Sequence, residues 1–485
     1  MKVGIVAEGS YPFVSGGVAS WIQTMMKQMP EHQFVIYAIV PRHEPDEEMK
    51  YELPDNVAGV EIIPLEKTET VRKRSEVKLT AEECGILEDW FSFRSTGAGA
   101  LKILQDRSKV GSGTSFLDSE VFYSIVKSCY RLEDGSASFL DYLWMMRAMY
   151  KPVLALLQEE LPEVDLVHAV STGYGGLLGS VLSMRFGCPL ILTEHGLYTR
   201  EREEEIIQAD WIPPICKDRW IRFFRQLSEE AYGQAHRVIS LFERNRAFQL
   251  EGGASPDSLE VVPNGVDLSV YENLRKPRPE ERMVIVSVLR VVPIKDVKTM
   301  IYSAWLLKKR GVPFEFHLVG PRKEDPLYAE ECAELIARLE LSDEVFLTGP
   351  GDVQAYLRQA DVLVLTSISE GQPLAMLEGM AAGIPWVTTD VGSCKELIEG
   401  TEADPFGPCG FCVPPVSPEA VADRLAWFFD HPEQLHVYGD AGRERIRAYY
   451  QLHEVVWRYQ QIYLDAAGKR RETHGGNRVP AAENV

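Results

Sequence analysis

Long apolar runs are missing from this chain. Phe34–Val40 is the longest, and Val284–Leu289 and Val362–Leu365 are shorter still, far short of the roughly 18–20 apolar residues a membrane helix needs. Met1–Ala7 is apolar but meets Glu8 before a secretory core can form, so a cytoplasmic location is expected. Positive charge is scarce as well. The chain has 51 Lys and Arg against 72 Asp and Glu, a net charge of −21. That balance argues against nucleic acid as a partner, because binding a polyanion runs on Lys and Arg contacts to phosphate. It leaves room for one local basic spot. Cysteine is sparse, eight residues in 485, which reads as reduced thiols and not as a disulfide framework. Only Cys409 and Cys412 form a Cys-x-x-Cys, and no second pair completes a zinc site.

What is present is the composition of a soluble globular protein, 45% hydrophobic and 25% charged, in a chain long enough for two or three domains. The opening reads strand, glycine loop, helix, strand. Val3–Ala7 is a buried-strand run, Ser15-Gly16-Gly17 follows, and Val18, Ile22, Met25 and Met29 share one helical face before Phe34–Val40. Parallel sheets that begin this way bind ligands beyond the carboxyl ends of their strands. Residues Glu66 to Tyr150 break the pattern and read as a helical insertion in the first lobe. Strands resume at Leu166-Val167-His168, Pro189–Thr193, Arg237–Ser240 and Leu259–Val262. After a Pro- and charge-rich linker comes a second alternation: Val284–Leu289, Phe314–Val319, Val345–Leu347, Val362–Leu365 and Trp386–Thr388. The expected organisation is a first lobe over 1–272 with its insertion over 66–150, and a linker over 273–282. A second lobe spans 283–440, a helix 441–467 packs back on the first lobe, and 468–485 is a disordered tail.

The chemistry concentrates in three places. In Ser369–Glu378 a glycine and a proline open a helix after a buried strand. Its free N–H groups and dipole make an anion site, while Glu370 and Glu378 are placed to meet hydroxyl groups. Arg290 follows one buried strand and Lys295 precedes a helix, so both can face one crevice. Fixed positive charge there would stabilise a diphosphate as it leaves, with Arg a planar fork and Lys a point charge. In the first lobe His195 follows a strand, at the edge where ligands sit, and His168 has a similar setting. Two solvated glutamates, two surface cations and a structural histidine are the bland readings of the same residues. Pro263-Asn264-Gly265-Val266-Asp267 reads as a structural turn.

The ordered set formed by the Gly16-Gly17 loop, Pro263–Asp267, Arg290/Lys295 and Glu370-x7-Glu378 resembles glycosyltransferase family 4, retaining enzymes of GT-B fold. Ala7–Pro12, Thr193–Arg200 and Arg290–Asp296 resemble the Pel-exopolysaccharide branch of that family. The resemblance implies an α/β fold of GT-B architecture, with two Rossmann-like βαβ lobes facing a cleft. It also implies a UDP-sugar substrate, a polysaccharide acceptor and a membrane-embedded polysaccharide synthase complex as partner. Arg290 and Lys295 would hold the diphosphate with the backbone of Gly371, Gln372, Pro373 and Leu374. Glu378 would bind ribose, Glu370 the transferred sugar, Gly16 and Gly17 phosphate, and His195 the sugar near its reacting carbon. Gly320 and Leu347 would border the base. Gly196 departs from the Asp that many members carry after the histidine. No Asp-x-Asp occurs, which fits a donor site that uses Arg290 and Lys295, so no metal or other cofactor is expected. A nucleotide-sugar hydrolase or epimerase, and a non-catalytic nucleotide-sugar-binding subunit, are the alternatives. The first predicts donor turnover without acceptor, and the second has no need of all four of Arg290, Lys295, Glu370 and Glu378.

Overall fold

The computed structural model describes residues 1–42, 48–66, 76–132, 138–272, 274, 282–401 and 404–475. The chain divides into two units, Met1–Val261 together with the chain from Arg458 onward, and Val262–Trp457. The expected linker at 273–282 lies almost wholly outside the described residues.

The first unit is built on a seven-stranded sheet. Its strands are β1 (Lys2–Glu8), β2 (Gln33–Val40), β3 (Val57–Pro64), β4 (Leu166–Ala169), β5 (Leu190–Glu194), β6 (Arg237–Ser240) and β7 (Leu259–Val261). They are all parallel, in the order β3-β2-β1-β4-β5-β6-β7. The central strands are apolar on both faces because helices cover both. β3 escaped the sequence reading: Gly59 and Glu61 interrupt its apolar run, and as an edge strand it is mostly half-buried. The second unit carries a six-stranded parallel sheet of β8 (Met283–Val288), β9 (Phe314–Val319), β10 (Val345–Gly349), β11 (Val362–Leu365), β12 (Trp386–Thr389) and β13 (Gly410–Val413). Its order is β10-β9-β8-β11-β12-β13. Both units are Rossmann-like.

The insertion is helical, with two corrections. Its first described helix is Ala81–Phe91, started by a capping box in which Thr80 accepts from the Glu83 N–H and Glu83 from the Thr80 N–H. Its last, Phe139–Leu157, runs through Tyr150 and leads into β4. The insertion shares its core with the sheet: Trp90, Phe91, Phe116, Phe122 and Tyr150 pack in one cluster with Val6, Val167 and Leu192. Buried polar groups tie it down, with Trp90 Nε1 donating to Glu230 at 2.7 Å and Arg219 to the Phe91 carbonyl at 2.6 Å.

The C-terminal pattern also differs from the reading. The helix expected over 441–467 is divided between Gln434–Tyr449 and Leu452–Gly475, with Pro418–Asp430 before them and a break at Pro432, which cannot continue a helix. Residues 468–475, read as part of a tail, are helical. Their polarity hid a run of helix formers, Lys469, Arg470, Arg471 and Glu472. Tyr459 and Tyr463 of this helix are buried in the first unit. No helix among the described residues is long and apolar enough to cross a membrane.

In the second unit a buried ion pair fixes the edge of the sheet. Arg445 and Asp404 are 1% and 2% exposed and 2.5 Å apart. Arg445 also donates to the carbonyls of Leu397, Ile398 and Gly407 at 2.6–3.0 Å. Those carbonyls lie at the end of the helix Cys394–Glu399 and in the loop that feeds β13. Removing one member leaves the other charged and dry, so Arg445→Ala should destabilise the second unit by about 3–5 kcal/mol. Urea denaturation followed by tryptophan fluorescence would read this, and a loss under about 1 kcal/mol would show the pair to be dispensable.

Candidate active site

The order of the second sheet reverses between β8 and β11, which are neighbours, Val362 opposite Ile285 and Leu363 opposite Val286. The chain leaves β8 toward β9 on one side and leaves β11 toward β12 on the other. The loops beyond their carboxyl ends therefore part, and a crevice opens between them. Most of the second-unit residues singled out from the sequence lie in these two loops.

The loops are bonded to each other. Thr366 Oγ1 donates to the Asp296 carbonyl at 2.9 Å and to that of Lys295 at 3.2 Å. The Ile368 N–H donates to the Ile294 carbonyl at 2.9 Å. Lys295 Nζ meets Glu370 Oε1 in an ion pair whose side chains are 17% and 10% exposed. Ser367 Oγ donates to the same carboxylate oxygen at 2.5 Å. Asp296 has left-handed backbone, φ 45°, and caps the helix Val297–Lys309 by accepting from Thr299. That turn reverses the chain between Lys295 and the helix.

The loop after β11 is held from below. Its Gly371 carbonyl accepts from the Ser393 N–H at 3.0 Å and its Ser367 carbonyl from Thr389 Oγ1 at 2.7 Å. Gly392 has φ +54°, and a Cβ there would stand 2.1 Å from the Glu370 carbonyl oxygen, so no other residue fits. Gln372 is clamped by Asn264, whose backbone N–H donates to Gln372 Oε1 at 2.6 Å and whose side chain donates to the Gln372 carbonyl at 3.1 Å. The turn at Asn264 therefore acts on the site through Gln372. Pro373 then opens the helix Leu374–Ala381 without a side-chain cap, leaving its first N–H groups to a ligand or solvent. Inside that helix Glu378 accepts from the Tyr271 hydroxyl, and burial raises the pKa of both groups.

The other predicted residues fall around this frame. Arg290 is half-buried and pairs with Glu324 at 2.7 Å. Both cations read as diphosphate ligands thus have carboxylate partners, and Lys295 and Glu370, read as serving different groups, are paired with each other. Gly320 follows β9 against the start of the β8 loop, where a Cβ would lie 1.8 Å from the Leu289 carbonyl oxygen. Leu347 lies on β10, two strands from β8, half-buried against the second unit's hydrophobic core.

In the first unit Gly17 begins the helix Gly17–Gln28, and a Cβ on Gly16 or Gly17 would meet nothing within 4 Å. The Gly16 N–H donates to the Tyr51 hydroxyl at 3.4 Å. His195 follows β5, edge-on to Trp21 with ring centroids 4.7 Å apart. Burial pushes its pKa down to about 4, and its Nε2 has no partner. His168 is fully buried inside β4, between Tyr463 Oη at 2.6 Å and Thr193 Oγ1 at 2.8 Å. That is a structural setting, and burial with the neighbouring His195 lowers its pKa to about 3.

Two carboxylates went unnoticed in the sequence. Glu8 ends β1 and accepts from the Gly175 N–H and the Tyr198 hydroxyl, each at 2.9 Å. Glu194 ends β5, is 1% exposed, and accepts from Tyr232, Gln249, Thr172 and the Tyr198 N–H at 2.7–3.2 Å. Burial raises the pKa of both. The available signal was that an apolar strand ends on an acid in both places. Glu201 carries its carboxylate over Gly196, 2.2 Å from where a Cβ would stand, so an acidic group occupies that spot although position 196 has no side chain.

Comparisons with known proteins bear on the family and the fold. Residues 272–445 match the model described as glycosyl transferases group 1. The MMP alpha-(1->4)-mannosyltransferase of Mycolicibacterium hassiacum is 29% identical over 313 residues, 63% of this chain and 72% of that protein. Among solved structures, sucrose-phosphate synthase from Thermosynechococcus elongatus superposes with a TM-score of 0.64 at 15% identity, over 96% of this chain and 99% of that one. HepE of Anabaena, solved in complex with UDP, does so with a TM-score of 0.61 at 14% identity, over 96% and 100%. The fold and these relatives define a glycosyltransferase of GT-B fold. The chain belongs to the family described as a domain of unknown function, DUF3492, whose model matches residues 1–257.

His168 supplies a test of the first unit's interior. Its folded pKa lies below the ordinary value of 6.5, so the unfolded chain binds the extra proton. Its contribution is complete above pH 6.5 and is lost as pH falls below that, at up to about 1.4 kcal/mol per pH unit. Urea midpoints between pH 7.5 and pH 5 should therefore fall more steeply for the wild type than for His168→Gln. Parallel slopes would place a solvated imidazole at this position.

Proposed function

We propose that the chain is a retaining glycosyltransferase that moves a sugar from a UDP-sugar, UDP-glucose or a UDP-N-acetylhexosamine, to a growing exopolysaccharide without a divalent metal. The observation that carries this reading is the pair of interlocked loops at the reversal of the second sheet, which gathers Lys295, Glu370 and an uncapped helix start. Lys295, Arg290 and the N–H groups at Leu374 and Ala375 take the diphosphate. In doing so the phosphate replaces Glu370 and Glu324 as partner of each cation. Glu370, released from Lys295, turns to the sugar hydroxyls, and Glu378 takes the ribose. Leu347 and Gly320 border the base, and Gly16 and Gly17 leave backbone free to approach phosphate. His195 is neutral at working pH and meets the transferred sugar as a hydrogen-bonding group.

Retention follows from the family resemblance, and the chemistry chosen here is a front-face reaction. The bond from the anomeric carbon to the diphosphate oxygen breaks as the acceptor hydroxyl attacks the same face. The departing phosphate takes the hydroxyl proton. A double displacement would need a carboxylate nucleophile. Glu370 is the candidate among the described second-unit residues, and in this reading its carboxylate is taken up by Ser367 and the sugar hydroxyls. In this reading, which the motif likeness to the Pel branch supports, the enzyme works as a PelF-type transferase at the cytoplasmic face of a membrane-embedded synthase complex. The solved HepE complexes, which hold UDP and UDP-glucose, support the choice of donor.

Two measurements check the donor site. Lys295→Ala should weaken UDP binding by roughly thirtyfold or more, as loss of one member of a buried charge contact costs about 2–5 kcal/mol. Arg290→Ala, at a more exposed position, should weaken it by about tenfold, and Arg290→Lys should not restore it fully. Calorimetric affinities within twofold of wild type for both alanine variants would return these residues to the surface. Separately, UDP affinity should be the same with EDTA as without. A loss on chelation that Mg²⁺ or Mn²⁺ restores would contradict the metal-free site.

A further inference from the structure

The chain leaves the first unit at Val261 and returns to it at Arg458. The last helix, Leu452–Gly475, therefore brings in side chains that lie far beyond the rest of the unit in sequence. Three polar contacts seat it there. Arg458 donates to the Val261 carbonyl at 2.9 Å, Gln460 to Glu31 at 2.7 Å, and Asp465 accepts from Arg237 at 3.2 Å. Tyr459 and Tyr463 point inward and are 0% and 2% exposed.

Their hydroxyls complete a buried run of hydrogen bonds. Tyr463 Oη meets His168 Nδ1 at 2.6 Å, His168 Nε2 meets Thr193 Oγ1 at 2.8 Å, and Thr193 Oγ1 meets Tyr459 Oη at 3.2 Å. Thr193 stands two residues before His195, near the end of β5. The rings make a second set of contacts. Trp21 is edge-on to Tyr459, His168 and His195 at once, with centroids 5.3, 5.8 and 4.7 Å apart, separations at which edge-on aromatic pairs attract. Tyr459 also stacks on His168 at 5.8 Å. With His195 Nε2 unmet, packing is what orients that imidazole. The titratable groups around this cluster are His168 of β4, Glu194 of β5 with its four donors, Glu201 over Gly196 and the two tyrosines. Burial is what keeps His195 neutral among them.

We propose that Tyr459 is a positioning residue for His195: through Trp21 it holds the ring and through Thr193 the strand, so that the last helix completes the first unit's site. The proposal rests on the transferase reading, in which His195 meets the transferred sugar. It also puts a residue that matters to the first unit outside the 1–257 span of the family model.

The test compares the full-length wild type with Tyr459→Ala and Tyr459→Phe, following the His195 imidazole by NMR with labelled histidine and assigning it with His195→Gln. In the wild type His195 should stay neutral down to about pH 5, since burial depresses its pKa to about 4. In Tyr459→Ala the loosened Trp21 admits water, and the midpoint should rise by about one pH unit or more toward the ordinary value. Turnover of UDP-glucose should fall about tenfold, as a misplaced group costs, while calorimetric UDP affinity stays within about twofold because the donor loops are untouched. Tyr459→Phe keeps the ring and should restore both the titration and the turnover to within about twofold of wild type. Should Tyr459→Ala fail to fold, Tyr459→Leu fills part of the space without an aromatic ring and carries the same expectations. A His195 titration that is the same in the wild type and the ring-less variant would overturn the proposal, and so would Tyr459→Phe behaving like Tyr459→Ala. The underlying reading fails separately, through wild-type turnover in His195→Gln or an absence of UDP binding in the wild type.

Discussion

Everything proposed for the second unit depends on one constraint: two parallel strands, adjacent in space, whose following loops must part and yet are bonded to each other. β8 and β11 create the crevice by topology alone. Thr366 and Ile368 then donate across it to the carbonyls of Asp296, Lys295 and Ile294. Without those bonds Lys295 would be a flexible amine on a surface loop. With them its backbone is fixed relative to Glu370, and the two side chains must meet. The glycine at 392 and the clamp of Asn264 on Gln372 serve the same end, since each fixes the backbone of the loop that carries Glu370.

An ion pair this sheltered has a functional consequence. A partly buried lysine and glutamate stabilise each other, and either left alone is costly. An incoming diphosphate carries enough negative charge to take the lysine for itself. In the proposed reading the freed glutamate then finds its new donors in the sugar hydroxyls. On that reading diphosphate and sugar would be bound better together than either alone, which is the selectivity a nucleotide-sugar enzyme requires. The Tyr271–Glu378 contact fits the same proposal one turn into the helix: a buried carboxyl group keeps one neutral donor, and a ribose diol would meet its remaining acceptor capacity.

Much of this was legible in the sequence, and the parts that were not share a cause. The two strand–helix alternations stand out because central parallel strands are uninterrupted apolar runs. The residues after β8 and β11 stand out because charge follows buried strands directly. β3 was missed because an edge strand tolerates Gly59 and Glu61, and the last turns of the helix ending at Gly475 because polarity alone resembles a disordered tail. Pairing is the information that one chain read in order does not carry. Nothing near Lys295 in sequence announces Glu370, 75 residues away. Nothing near Glu8 announces Tyr198 or Gly175. His168 and His195 look alike in sequence, and only packing separates a histidine held on both nitrogens from one whose Nε2 is unmet.

The most direct test of the central claim is amide hydrogen exchange of the full chain with and without UDP. The account predicts that UDP slows exchange in two segments above all others, Leu289–Asp296 and Thr366–Leu377, because those loops close on the diphosphate from both sides of the strand-order reversal. Protection confined to other parts of the chain, with both segments unchanged under saturating UDP, would contradict it.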